Sequence, residues 1–154
     1  TETDFKDQWN KLSASGAQVD SMVLLVHGGK RNDIEGELYF TPDKQNDGTL
    51  STEEIQSLPK LNYSSEGNID IRACNSGLGE MSVGLNMAES QGVKTKSMAG
   101  YAYFSESPSE YKGTGASSSS MYLNSYERRS NVGLFSIGSG NSMPPVINTP
   151  KKTP

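Results

Sequence analysis

"LLVHGGKRNDIEG" (residues 24–36) carries an apolar run into the only histidine of the chain, His27, followed by two glycines. "IDIRACNSG" (residues 69–77) carries a second apolar run into the only cysteine, Cys74. Short apolar runs bounded by polar residues, here Met22–Val26 and Ile69–Ala73, read as buried strands. In the second run Asp70 and Arg72 alternate with the apolar residues, either as pocket residues or as a pair on an exposed strand face. In an open parallel sheet, chemistry sits beyond the carboxyl ends of the strands. If the two strands are neighbours, His27 and Cys74 emerge at one sheet edge, with Gly28, Gly29 and Gly77 allowing close approach of a substrate backbone.

The segments around these runs complete an α/β pattern. Phe5, Trp9 and Leu12 share one helical face, with Asp4 placed to cap the helix and "SASG" (13–16) to end it. "GELYFTPDKQNDGTLSTEEIQSLPKL" (36–61) holds a strand-like "LYF", a turn and a short helix from about Ser51. "SVGLNMAESQG" (82–92) reads as a helix ending at Gly92, and "VKTKSMAG" (93–100) as a third strand. Strand and helix alternate as in a mainly parallel sheet. Beyond Tyr101 the pattern weakens: "YLNSYERRS" (122–130) reads as a helix and "VGLFSIG" (132–138) as a last strand. Residues 1–137 are therefore expected to form one domain, and 138–154 a disordered or draped Gly/Ser/Pro-rich tail.

Bulk properties narrow the function. The chain has 154 residues, enough for one domain with a real core, and only 32% hydrophobic residues. Its net charge of −4, with no basic stripe, argues against nucleic acid and anionic membrane surfaces as partners. No apolar stretch reaches the ~18 residues of a membrane span. One cysteine makes no internal disulfide, and no signal peptide is visible. The expected setting is cytoplasmic, or that of a secreted effector without a visible signal peptide.

The residue types at the two strand ends suit acyl transfer. A thiolate attacks an acyl carbon, an imidazole moves the proton to the leaving amine, and backbone amides near Gly28 and Cys74 hold the oxyanion. "VLLVHGG" (23–29) and "IDIRACNSG", with the histidine 47 residues upstream of the cysteine (74 − 27), resemble the caspase-like cysteine peptidases. That clan includes caspases, gingipains, clostripain, separase and the CHAT domains. "DGTLSTEEIQSL" (47–58) is similar to the CHAT-type connection between the two halves, and the likeness covers about residues 20–100. It implies a small three-layer α/β domain with a mainly parallel central sheet, His27 as catalytic histidine, Cys74 as nucleophile and Gly28 as an oxyanion amide. It also implies a protein or peptide substrate and no required cofactor. Such domains usually have a strand before the histidine strand, whereas here only a helix fits. In several of these families the loop after the third strand helps set specificity. Glu106 and Glu110 lie there and would favour Lys or Arg before the scissile bond; as ordinary residues they are simply a solvated acidic loop.

A second pattern overlaps the connection. In "DKQNDGTLSTEE" (43–54), Asp43, Asp47, Gly48 and Glu54 fall at EF-hand loop positions 1, 5, 6 and 12, which would make calcium a ligand. The same letters also read as an Asp-Gly turn followed by a Ser51/Glu54 capping box. The functional alternatives to a peptidase are a catalytically silent binding or adaptor module, a calcium-binding structural domain, and a thiol acyl hydrolase or transferase acting on other esters or amides.

Overall fold

The computed structural model describes residues 1–40, 48–105, 122–126, 142–143 and 145–151. The first element, α1 (Glu2–Ser15), starts at a capping box in which Thr1 is the N-cap. Asp4, expected to be the cap, is instead the third helical residue whose carboxylate closes the box. Gly16, at φ 65°, ends the helix in the left-handed conformation. The Phe5–Trp9–Leu12 face turns inward: Trp9 is buried, its indole N–H donates to the Pro59 carbonyl at 2.8 Å, and Phe5 packs on Phe40.

Four strands form the main sheet: β1 (Gln18–Leu25), β5 (Asn62–Arg72), β6 (Lys94–Ser97) and β10 (Val146–Asn148), in the order β1-β5-β6-β10. The first three are parallel and β10 is antiparallel, so the molecule is α/β with a mixed, mainly parallel sheet. Register fixes the faces, because directly paired residues share a side. Leu24 pairs with Ile71, Ile71 with Ser97 and Ser97 with Val146. That face forms the core with Trp9 of α1, Ile55 of α2 (Thr52–Ser57), and Val83 and Met87 of α3 (Val83–Gln91). On the opposite face stand Val23, Leu25, Asp70, Arg72, Lys96 and Ile147. There Val23, Leu25 and Ile147 are 52%, 44% and 54% exposed.

The expected buried strand over Met22–Val26 is therefore corrected. It begins earlier, ends at Leu25, and lies at the sheet edge with Leu24 as its buried residue. An apolar run signals a strand but does not distinguish a central position from an edge. The cysteine strand is also longer than its apolar run. It begins at Asn62, and the β1–β5 register shifts between Val19 and Ser21. The helix caps follow the sequence closely: Ser51 and Glu54 form the capping box of α2, Ser82 caps α3, and Gly92 closes it at φ 71°.

A second sheet was not expected. One residue after β1 the chain enters β2 (His27–Lys30), which pairs antiparallel with β3 (Gly36–Tyr39); β3 pairs in turn with β4 (Thr49–Leu50). A third sheet joins β7 (Tyr101–Ser105), β8 (Tyr122–Tyr126) and β9 (Ser142–Met143). Where a helix was expected, Tyr122–Tyr126 is a strand against β7. Pairing with β7 decides the conformation, and the two tyrosines are residues that favour strand. Residues 127–130 and the expected strand over 132–138 lie outside the described residues.

Within the segment expected to be disordered or draped, Val146–Asn148 completes the main sheet as β10. Its anchors are tertiary: the Ser97 hydroxyl donates to the Val146 carbonyl at 3.3 Å, and the Asn148 amide lies 3.4 Å from the hydroxyls of Thr95 and Ser97. No periodicity inside three residues could reveal them. Among the described residues, no helix is long and apolar enough to cross a membrane.

Candidate functional site

The parallel pairing of β1 with β5 runs without interruption from Ser21↔Asn68 to Leu25↔Arg72, a constant offset of 47 (72 − 25). His27 and Cys74 lie at that same offset, two residues beyond the last pair (27 + 47 = 74). Both therefore leave adjacent parallel strands at the same carboxyl end, where α/β sheets place chemistry.

The bend after β1 brings the backbones together through a glycine. A Cβ added to Gly28 would stand 2.6 Å from the Cys74 carbonyl oxygen and 2.8 Å from the Ala73 Cβ. Only hydrogen fits there. The direction of the Gly28 amide follows from the hairpin. Phe40 donates to the Gly48 carbonyl at 2.7 Å and Arg31 to the Glu35 carbonyl at 2.9 Å. Antiparallel pairs alternate between bonded and non-bonded, so His27 and Tyr39 exchange backbone bonds while Gly28 and Leu38 do not. The Gly28 N–H thus points away from β3, outside that ladder. Gly29, in contrast, lies against the Tyr39 ring.

Past Cys74 the chain turns sharply. Asn75 has φ 55°, a left-handed conformation that asparagine tolerates better than most side chains. The turn is held by the amides of Asn75 to Gly100 (2.7 Å), Ser76 to Ala73 (3.2 Å), Gly77 to Met98 (2.9 Å) and Leu78 to Asn75 (3.0 Å). The buried Ser76 hydroxyl adds a donation to Ile71 and accepts from the Met98 amide at 3.0 Å. Four successive amides after the cysteine, those of residues 75–78, are thus committed to the turn.

The side chains are less closely joined than the backbones. The half-buried Cys74 Sγ lies 3.7 Å from the Ala102 carbonyl and donates to it. Burial pushes its thiol above the ordinary range, only partly opposed by hydrogen bonding at the backbone of Ala102. His27 is exposed and opens a shallow cavity of about 230 Å³ with Leu25, Val26, Tyr39 and Phe40. Among the described residues, no hydrogen bond joins the imidazole to the thiol.

Sequence reasoning missed what lies opposite His27. Tyr39 is its register partner, and the Tyr39 hydroxyl donates to the Glu37 carboxylate. Burial first, then this bond, holds the phenol well above its ordinary range. The signal lay in "HGGK" facing "GELY", two short runs on either side of a polar turn. Asp70 and Arg72 form a half-buried ion pair on the sheet face away from the core, with Arg72 Nε and Nη2 both 3.0 Å from Asp70 Oδ2.

Of the calcium pattern, Asp43 and Asp47 lie outside the described residues. Glu54 is occupied as the capping-box reading requires: the Ser51 amide donates to Oε2 at 2.9 Å and Lys6 Nζ to Oε1 at 2.7 Å. Glu106 and Glu110 also lie outside the described residues. Comparison of the chain with models of protein families, with curated proteins and with solved structures found no match.

Proposed function

We propose that the chain is a cysteine peptidase of caspase-like type, with Cys74 as nucleophile and His27 as proton carrier. The observation that carries this reading is the shared offset of the β1–β5 register and the His27/Cys74 pair. It puts the only histidine and the only cysteine beyond the same ends of adjacent parallel strands, with a glycine backbone seated on the cysteine. The reading includes a three-layer arrangement around the main sheet and a protein or peptide substrate.

In this mechanism the Cys74 thiol leaves the Ala102 carbonyl and passes its proton to His27. The thiolate adds to the scissile carbonyl carbon, and the oxyanion is held by the outward amide of Gly28. The C–N bond breaks as the imidazolium protonates the amine. Water, deprotonated by His27, then splits the thioester and restores the thiol. Beyond the substrate and one water, the steps balance on Cys74 and His27 alone.

A second reading is favoured by the state of Cys74. A thiol raised by burial and bonded to a carbonyl suits a catalytically silent binding module as well as a resting enzyme. One experiment separates them: incubation with a complex peptide library and mass-spectrometric identification of new termini, alongside Cys74→Ala and His27→Ala. The peptidase gives cleavage lost in both variants. Cleavage retained in either variant, or none in the wild type, moves the assignment to the binding module. Parallel ester substrates test a thiol acyl hydrolase using the same residues.

A further inference from the structure

At the opposite end of the main sheet from His27 and Cys74, the parallel strands β5 and β6 begin around an open cavity of about 670 Å³. A bulge in β5 builds one wall. Val19 pairs with Tyr63 and Ser21 with Asn68, so a single β1 residue stands against residues 64–67, all of which line the cavity. The bulge folds tightly: a Cβ on Gly67 would stand 2.8 Å from the Tyr63 Cβ and 2.9 Å from the Ser64 carbonyl oxygen. The end of α3 forms the facing wall, through Gln91 and Gly92. There Gln91 is fully buried, and its Oε1 accepts from the Leu61 amide at 3.0 Å. That bond fixes the orientation of the carboxamide, and its Nε2 is left without a partner among the described residues. A buried amide donor is costly to leave unpaired, so an acceptor is called for at this wall.

We propose that this cavity binds a small organic acid through one carboxylate, held by Gln91 Nε2 together with Lys60 and Lys94. Both lysines line the cavity, and neither makes an ion pair among the described residues. Glu66 is the one acidic residue of the lining, so the charged side chains there sum to +1. A single carboxylate balances that charge and offers enough lone pairs for the amide and both ammonium groups. A phosphate dianion overshoots it and also faces the carbonyl end of α3, which disfavours negative charge. Lys60 offsets that end for one charge, since its Nζ lies 2.8 Å from where a Cβ of Gly92 would stand. Leu61, Val93 and Pro150 give the body of the acid an apolar wall.

The inference is independent of the peptidase reading, and its test uses no activity. The side-chain amide resonance of Gln91 is followed by NMR while acetate, isovalerate or N-acetylleucine is titrated into the full chain. Isovalerate or N-acetylleucine should shift it saturably, with a Kd below about 1 mM. N-acetylleucinamide, which lacks the charge, and glycerol phosphate, which carries too much, should each bind at least about tenfold more weakly than the better acid. Gln91→Met should abolish binding. Because that change also removes the acceptor of the Leu61 amide, the exposed Lys60→Glu is the variant that folding does not confound. It should weaken the acid at least about tenfold with the remaining resonances in place. No saturable shift with any of the three acids overturns the proposal. So does equal binding of the uncharged amide, glycerol phosphate binding as tightly as the acid, or full affinity in Lys60→Glu.

Discussion

Gly28 and Gly29 are neighbours in sequence but face different obstacles, and substitution should separate them. At Gly28 a methyl group meets the Cys74 carbonyl and the Ala73 Cβ, both held by the pairing of β1 with β5. Gly28→Ala should cost about 1–3 kcal/mol in urea denaturation and expose Cys74 to alkylating reagents. At Gly29 the nearest atoms belong to the Tyr39 ring, a side chain that can yield, so Gly29→Ala should cost less. The Cys74 thiol makes a prediction of its own. Burial raises its pKa, so at neutral pH its thiolate fraction lies below that of an ordinary cysteine. The rate of iodoacetamide modification, followed against pH, should have a midpoint above that of a free thiol. A midpoint below it would show that His27 or another cation reaches the sulfur.

At the scale of elements, the short helix α2 buries Ile55 in the core and has its start fixed by the Ser51/Glu54 capping box. Burial alone would raise the Glu54 carboxyl, but hydrogen bonds from Lys6 and from Ser51 outweigh it and bring the pKa to about 2, below its usual 4.5. The folded state thus binds this proton less tightly than the unfolded chain does. The associated stability is present above the ordinary carboxylate range and is lost as pH falls through about 2. Glu54→Gln should destabilise by about 1 kcal/mol at neutral pH, solvent screening taking much of the nominal gain. The difference between wild type and variant should shrink as acid protonates the wild-type carboxyl, which thermal melts across the acid range would measure. A gap that does not close with pH would assign Glu54 a purely steric role. A calcium-dependent rise in Tm abolished by Asp47→Ala would show that the loop takes Glu54 from its cap.

Over the whole molecule, what was legible in the sequence was what is local. Ser51 with Glu54, and Gly16 and Gly92, mark helix ends with side chains or φ values that act within a turn, whereas the cap of α1 is Thr1 and not the expected Asp4. The apolar runs marked β1 and β5, and the offset of His27 from Cys74 matched their register before any pairing was known. What was not legible depends on partners distant in sequence. β10 is held by Thr95 and Ser97, β8 by β7, and β2 becomes a strand because β3 returns alongside it. The edge position of β1 belongs to this class too, since apolar residues look alike with one neighbouring strand or two.

The β1–β5 pairing also orders events in time. Its offset of 47 residues means that neither strand end exists as a site until a long loop has closed, which makes this a late, cooperative contact. During synthesis from the N-terminus, His27 emerges first. At about 5–20 residues per second, Cys74 follows some 2–9 s later. Throughout that interval the nascent chain carries the apolar strand of the histidine without its cysteine neighbour, and any activity of the pair is withheld until most of the sheet has been made.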